Sequence, residues 1–192
     1  MEKDRLLAFS DGVIAIIITI MVLELRAPHE PSLEALRALA PTFLSYVLSF
    51  LYVAIYWNNH HHLLYTADRV NGGILWANMM LLFFLSLVPF TTAWLGHTKG
   101  AAWPTAFYGV SLLMPAIAFY VLQNLIVRAH GPDHVLRRAL GDDWKGNLSP
   151  LLYLAGIGLA FVEPRAAQAL FVLVALIWLV PDSRIEKAVA KE

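Results

Sequence analysis

The sequence predicts an all-α membrane protein with six transmembrane helices per subunit. Three observations carry that reading. The 192 residues are 59% hydrophobic and only 15% charged, with a mean hydropathy of +0.62, more apolar surface than a soluble domain of this length can hide. Apolar runs recur along the chain, most of them long enough to cross a hydrocarbon core of about 30 Å. The runs also lack the two-residue alternation of a membrane barrel, and helices satisfy their own backbone groups in lipid. The whole of 1–192 reads as one transmembrane domain.

Composition also excludes several functions. Cysteine is absent, which removes disulfides and thiolate metal sites. The formal net charge is zero, so nothing points to nucleic acid as a partner. No metal spacing, nucleophile–base pair or cofactor motif is present, so an enzyme is not expected, and neither is a cofactor.

The first span is expected over about 6–25. It opens on Arg5-Leu-Leu-Ala-Phe9-Ser10-Asp11-Gly12 and continues apolar to Leu23. Its basic start is not followed by a small-residue cleavage site but by Glu24, Leu25 and Arg26, so it reads as a retained span. Pro28 and Pro31 break it, and Ser32 is placed to cap the next helix, with Glu34 in its first turn. That helix starts amphipathic (Leu33, Leu36, Leu39), enters the membrane near Pro41 and spans about 39–64. The remaining spans are expected over about 70–95, 103–127, 148–162 and 166–180. Arg128–Asn147 is the longest polar stretch, and Glu163-Pro164-Arg165 makes the last turn.

Basic residues set the expected orientation. With the N-terminus inside, Lys3, Arg5, Arg69, Arg128, Arg137, Arg138, Lys145, Arg184, Lys187 and Lys191 lie inside, and only Arg26, Arg37, Lys99 and Arg165 outside. This bias favours both termini in the cytoplasm. Trp57, Trp94, Trp103, Trp144 and Tyr108 fall near span ends, where interfacial anchors collect.

The polar residues inside the spans are the candidates for function. A charge at the centre of a membrane helix costs about 2.5–3.5 kcal/mol. Asp11 lies nearer the end, so it either snorkels, with Arg5 nearby, or is held with Ser10 against another helix. Gly12, Ile16, Thr19 and Leu23 share one helical face by spacing, with Ile20 on its edge. Thr19 is the one hydroxyl in mid-run; it lines a passage or bonds its own helix backbone. His60, His61 and His62 invite a metal reading, but successive helical residues point about 100° apart. One of them is expected to face the bundle and meet Asp11 or Ser10. Asn78, in an apolar stretch, calls for an interhelical hydrogen bond.

Arg5 with Phe9-Ser10-Asp11-Gly12, the apolar run through Thr19, and Trp57-x-Asn59-His60-His61 resemble the signature of the lysosomal transmembrane potassium channel family in its bacterial single-repeat form. Asn78 and Pro89-Phe90 resemble its third helix, so the likeness is concentrated in residues 5–92. The resemblance implies a homotetramer in a bacterial plasma membrane, embedded in lipid, with the first helix of each subunit lining a central pore for monovalent cations, K+ above all. Carried over by position, Ile16 is the principal apolar constriction, Thr19 a layer that transient K+ touches, and Ile20 and Leu23 further apolar rings. Arg5, Phe9, Ser10, Asp11, Trp57, His60 and Asn78 correspond to the network that orients the first helix. Ile14 where an aromatic is common, and the extra His62, depart from the pattern. One rival is a proton-coupled secondary transporter using Asp11 and His60.

Overall fold

A computed structural model describes residues 2–131 and 144–179. Arg137, Arg138, Pro181 and the charged tail lie outside the described residues. The rest is helical: α1 (Lys3–Val22), α2 (Leu33–Ala38), α3 (Ala40–Tyr65), α4 (Gly72–Ser86), α5 (Val88–His97), α6 (Ala102–His130), α7 (Trp144–Leu159) and α8 (Pro164–Leu179).

The expectation of six transmembrane helices per subunit does not hold. Among the described residues, four helical stretches are long and apolar enough to cross a membrane: 3–22, 40–65, 72–97 and 102–130. Apolar residues continue into the last two helices, but α7 and α8 have 16 described residues each. At 1.5 Å per residue that is about 24 Å, short of a hydrocarbon core of about 30 Å. Hydropathy registers composition, whereas crossing depends on unbroken helical length.

Two other boundaries differ from the expected spans. Ser32 caps α2 by accepting from the Ala35 N–H at 3.1 Å, but this helix ends at Ala38, and α3 starts afresh with a proline in its first turn. The stretch 72–97 is interrupted at Leu87. Pro89 has no N–H to give the Leu85 carbonyl, and the Leu87 N–H bonds the Phe84 carbonyl in a tighter turn at 3.2 Å. Asn71 caps α4, accepting from the Ile74 N–H at 2.9 Å.

Two apolar cores stack along the bundle. One joins Leu6, Ile14, Ile17 and Met21 of α1 to Val53, Leu63 and Leu64 of α3, with α4 and the C-terminal half of α6. The other gathers α7 and α8 around Phe171, with Tyr52, Leu95, Tyr108 and Leu112. Glycines let helices approach in the second: a Cβ on Gly109 would lie 2.7 Å from the Phe171 ring. Gly96 likewise admits the backbone of Thr42. Tyr108 is therefore not an interfacial anchor. It is fully buried and hydrogen-bonded to Ser49 at 2.9 Å.

Candidate functional site

α1 is uniformly apolar over most of its length, so its rotation is set by what it docks against. Leu6, Ser10, Ile14, Ile17 and Met21 are buried. They recur at helical spacing and make one face. Lys3 anchors the start of the helix, donating to the Tyr65 carbonyl at the C-terminal end of α3 at 3.0 Å, where the helix dipole favours a cation.

Ser10 is the polar centre of that buried face, and its bonds fix one another's directions. Its hydroxyl donates to the Leu6 carbonyl at 2.8 Å, so its oxygen must accept from Asn78 Nδ2, 3.0 Å away. Asn78 Oδ1 is thereby turned towards His60 Nε2 at 2.6 Å, and that nitrogen must carry the proton it donates. Ser10, His60 and Asn78 are all fully buried. His60 Nδ1, left as a bare acceptor, has no partner. The clasp thus ties α1 to α4 and α4 to α3. The next residue, Asp11, accepts from Trp57 Nε1 at 2.9 Å. In membrane proteins such interhelical bonds contribute about 0.6 kcal/mol each on average, and up to about 1.7. Three bonds from other elements end on α1, at Lys3, Ser10 and Asp11; together they hold its rotation by about 2 kcal/mol, enough to select one face.

The direct contact expected between His60 and Asp11 or Ser10 is not made. Asn78 stands between His60 and Ser10, and Trp57 takes Asp11. His61 is exposed and packs against Trp57, with ring centres 6.1 Å apart, and against His62. Among the described residues no three metal-ligating side chains gather. Arg5 and Phe9 are exposed, and neither enters this clasp within the subunit.

The opposite face of α1 is uncovered. Ile16 is 58% exposed, Ile20 46% and Leu23 73%; Gly12 and Thr19 are exposed beside them. Thr19 Oγ1 donates to the Ile16 carbonyl at 2.9 Å. Both readings of Thr19 meet here: the proton goes to the helix backbone, and the oxygen stays on the open face as an acceptor. Leu23 closes the helix as its C-terminal cap.

A second polar cluster carries no strong sequence signal. Thr92 meets Ser49 at 2.6 Å, Ser49 meets Tyr108, and Thr91 meets Ser111 at 2.8 Å. All five are buried, linking α3, α5 and α6 just after the break at Leu87. Thr91 and Thr92 stand out in sequence as hydroxyls at the far end of an apolar helix. Ser49 and Tyr108 do not.

This is a helical membrane protein whose N-terminal helix is clasped by polar side chains on one side and bare along the other. The family described as the endosomal/lysosomal potassium channel TMEM175 matches residues 5–89, which hold the clasp, the bare face and the helix break. A protein of Chryseobacterium sp. (strain P1-3) named as a potassium channel is 52% identical over 98% of both chains. The crystal structure of a lysosomal potassium-selective channel TMEM175 homolog from Chamaesiphon minutus superposes with a TM-score of 0.79 at 28% identity, covering 94% of this chain and 98% of that one. The human protein, named an endosomal/lysosomal proton channel, is 31% identical over 46% of this chain, only 20% of its own length. The chain belongs to the TMEM175 family, as the resemblance in residues 5–92 implies.

Proposed function

We propose that the chain is a potassium-selective cation channel, assembled as a homotetramer with the bare face of α1 from each subunit around the pore axis. The observation that carries this is the uncovered stripe Gly12–Ile16–Thr19–Leu23 on a helix whose other face is docked by three hydrogen bonds. Such a stripe has no partner among the described residues of the subunit. One helix cannot enclose a passage, so several copies are needed, and closure of one stripe on its copies gives a ring. The bacterial relatives named as potassium channels support the ion.

In this arrangement Ile16 forms the narrowest apolar ring. A narrow apolar constriction excludes a water column and gates by dewetting. Thr19, one turn on, offers hydroxyl oxygens that replace part of the hydration shell of a transient K+. Ile20 and Leu23 extend the apolar wall. Asp11 and Glu24 draw cations to the two ends. Trp57, His60, Asn78 and Ser10 orient α1 without touching the ion, and Arg5 and Phe9 sit where a neighbouring subunit packs. The membrane is a bacterial plasma membrane, and the distribution of Lys and Arg supports both termini in the cytoplasm. Permeation is passive, with no covalent step and no cofactor. The proton-coupled alternative is disfavoured by geometry: Asp11 and His60 are bonded to different partners.

The test is the reversal potential of purified protein in liposomes under mixed K+ and Na+. The wild type is expected to follow the K+ gradient. Thr19→Val should move the reversal potential towards that for Na+; an unmoved value overturns the role of the threonine layer. Ile16→Asn should raise basal K+ flux several-fold by wetting the constriction. Unchanged flux would remove Ile16 as the gate.

A further inference from the structure

On the far side of α3 from α1, a cavity opens between α3, α6, α7 and α8. It encloses about 70 Å³ and is partly open, so a bound molecule is held in part and reaches the surface of the bundle. Tyr52, Tyr56, Phe119, Tyr153 and Trp178 form its walls. Its polar lining is small and uncharged. Trp178 Nε1 donates to Ser149 Oγ at 2.8 Å, and Ser149 donates on to the Lys145 carbonyl at 2.7 Å, so both are satisfied. Asn59 gives its Nδ2 proton to the Ile55 carbonyl at 2.8 Å and keeps its oxygen free.

Gln123 is different. Its side chain is only 8% exposed, lines the cavity, and makes no hydrogen bond to any described residue. Its amide is not sealed off but reaches the open space of the cavity, where a ligand that brings its own donor or acceptor can pair with it. Among the described residues no side chain lining the cavity is charged, the nearest charge being Lys145 Nζ, 5.9 Å from the outer Trp178 ring, and the site is separate from the proposed ion path.

We propose that this cavity binds a neutral amphiphile, an apolar body carrying one hydroxyl or carbonyl group. The body lies among Tyr56, Phe119, Tyr153 and Trp178, and the polar group meets Gln123 and the free oxygen of Asn59. An acylglycerol from the bilayer and an aromatic alcohol from the aqueous phase share this chemistry.

The test uses purified full-length protein in detergent and native mass spectrometry, titrating 1-monoolein in one arm and 2-naphthol in the other. One saturable site per subunit is expected for at least one probe. Gln123→Leu should weaken it about tenfold, the loss of one hydrogen bond in a buried site. Ala116→Phe, which projects a ring into the cavity, should abolish it. Binding of monoolein alone assigns a bilayer source, and binding of 2-naphthol alone an aqueous one; either supports the site. Saturation by neither probe, or binding that Gln123→Leu leaves unchanged, overturns it. The Gln123 variant decides alone if Ala116→Phe does not fold. Binding is read without ion flux, so failure here is separate from failure of the channel reading.

Discussion

The bundle contains two buried polar clusters, and they do different work. The Ser10–Asn78–His60 clasp holds a helix that is covered on one side only. The Ser49–Thr92–Tyr108 cluster, with Thr91–Ser111, holds helices enclosed on several sides. In the second cluster Tyr108 is packed against Phe171, and Thr91 and Thr92 also bond carbonyls of their own helix. Position there is over-determined. In the clasp, α1 has no packing on its bare face to resist rotation, so the hydrogen bonds themselves set which residues face outward. The same chemistry is structural glue in one place and a setting of the proposed pore face in the other.

Three substitutions test that difference. Asn78→Leu should have the largest effect. It removes both bonds of the clasp at once and leaves the Ser10 oxygen and the His60 Nε2–H buried without partners, at about 1–3 kcal/mol for each unpaired group. A lowered thermal midpoint together with altered K+ flux is expected. Flux unchanged per folded protein would mean that the clasp does not set the rotation of α1. Ser49→Ala should come next. It deletes the shared partner of Thr92 and Tyr108, at about 0.6–1.7 kcal/mol per bond. It should lower the midpoint while the K+/Na+ reversal potential stays that of the wild type; a shifted potential would erase the distinction between the clusters. Trp57→Phe should have the smallest effect on stability, about 0.6 kcal/mol, because the Trp57–Asp11 bond is at an exposed position. Its flux should change less than that of Asn78→Leu, and a larger change would move the orienting role from Asn78 to Asp11.

Much of the site is legible in sequence. Asp11, Ser10 and Asn78 stand out because polar groups in an apolar run need partners. The spacing of Gly12, Ile16, Thr19 and Leu23 puts them on one face whatever the tertiary structure. The partners are another matter. His60 reads as a partner for Asp11 or Ser10, yet it reaches Ser10 only through Asn78, because α4 lies between them. Trp57 reads as an interfacial anchor and, by the resemblance, as part of the network orienting the first helix, but that its partner is Asp11 is not legible in sequence. Ser49 and Gln123 give no signal, since one polar residue on a long apolar helix says nothing about what the neighbouring helix brings to it.

The sequence by itself determined that the chain is helical and membrane-spanning, where its polar entry lies, where α2 is capped, and which family it belongs to. These follow from residue types and short spacings, which are local. Tertiary structure decided that, among the described residues, four stretches rather than six are long enough to cross, that the third is broken at Leu87, and which side of α1 is covered. A helix apolar all round has no preferred face in water or in lipid. Its rotation is fixed only by contacts from α3 and α4, and those are made between residues far apart in the chain.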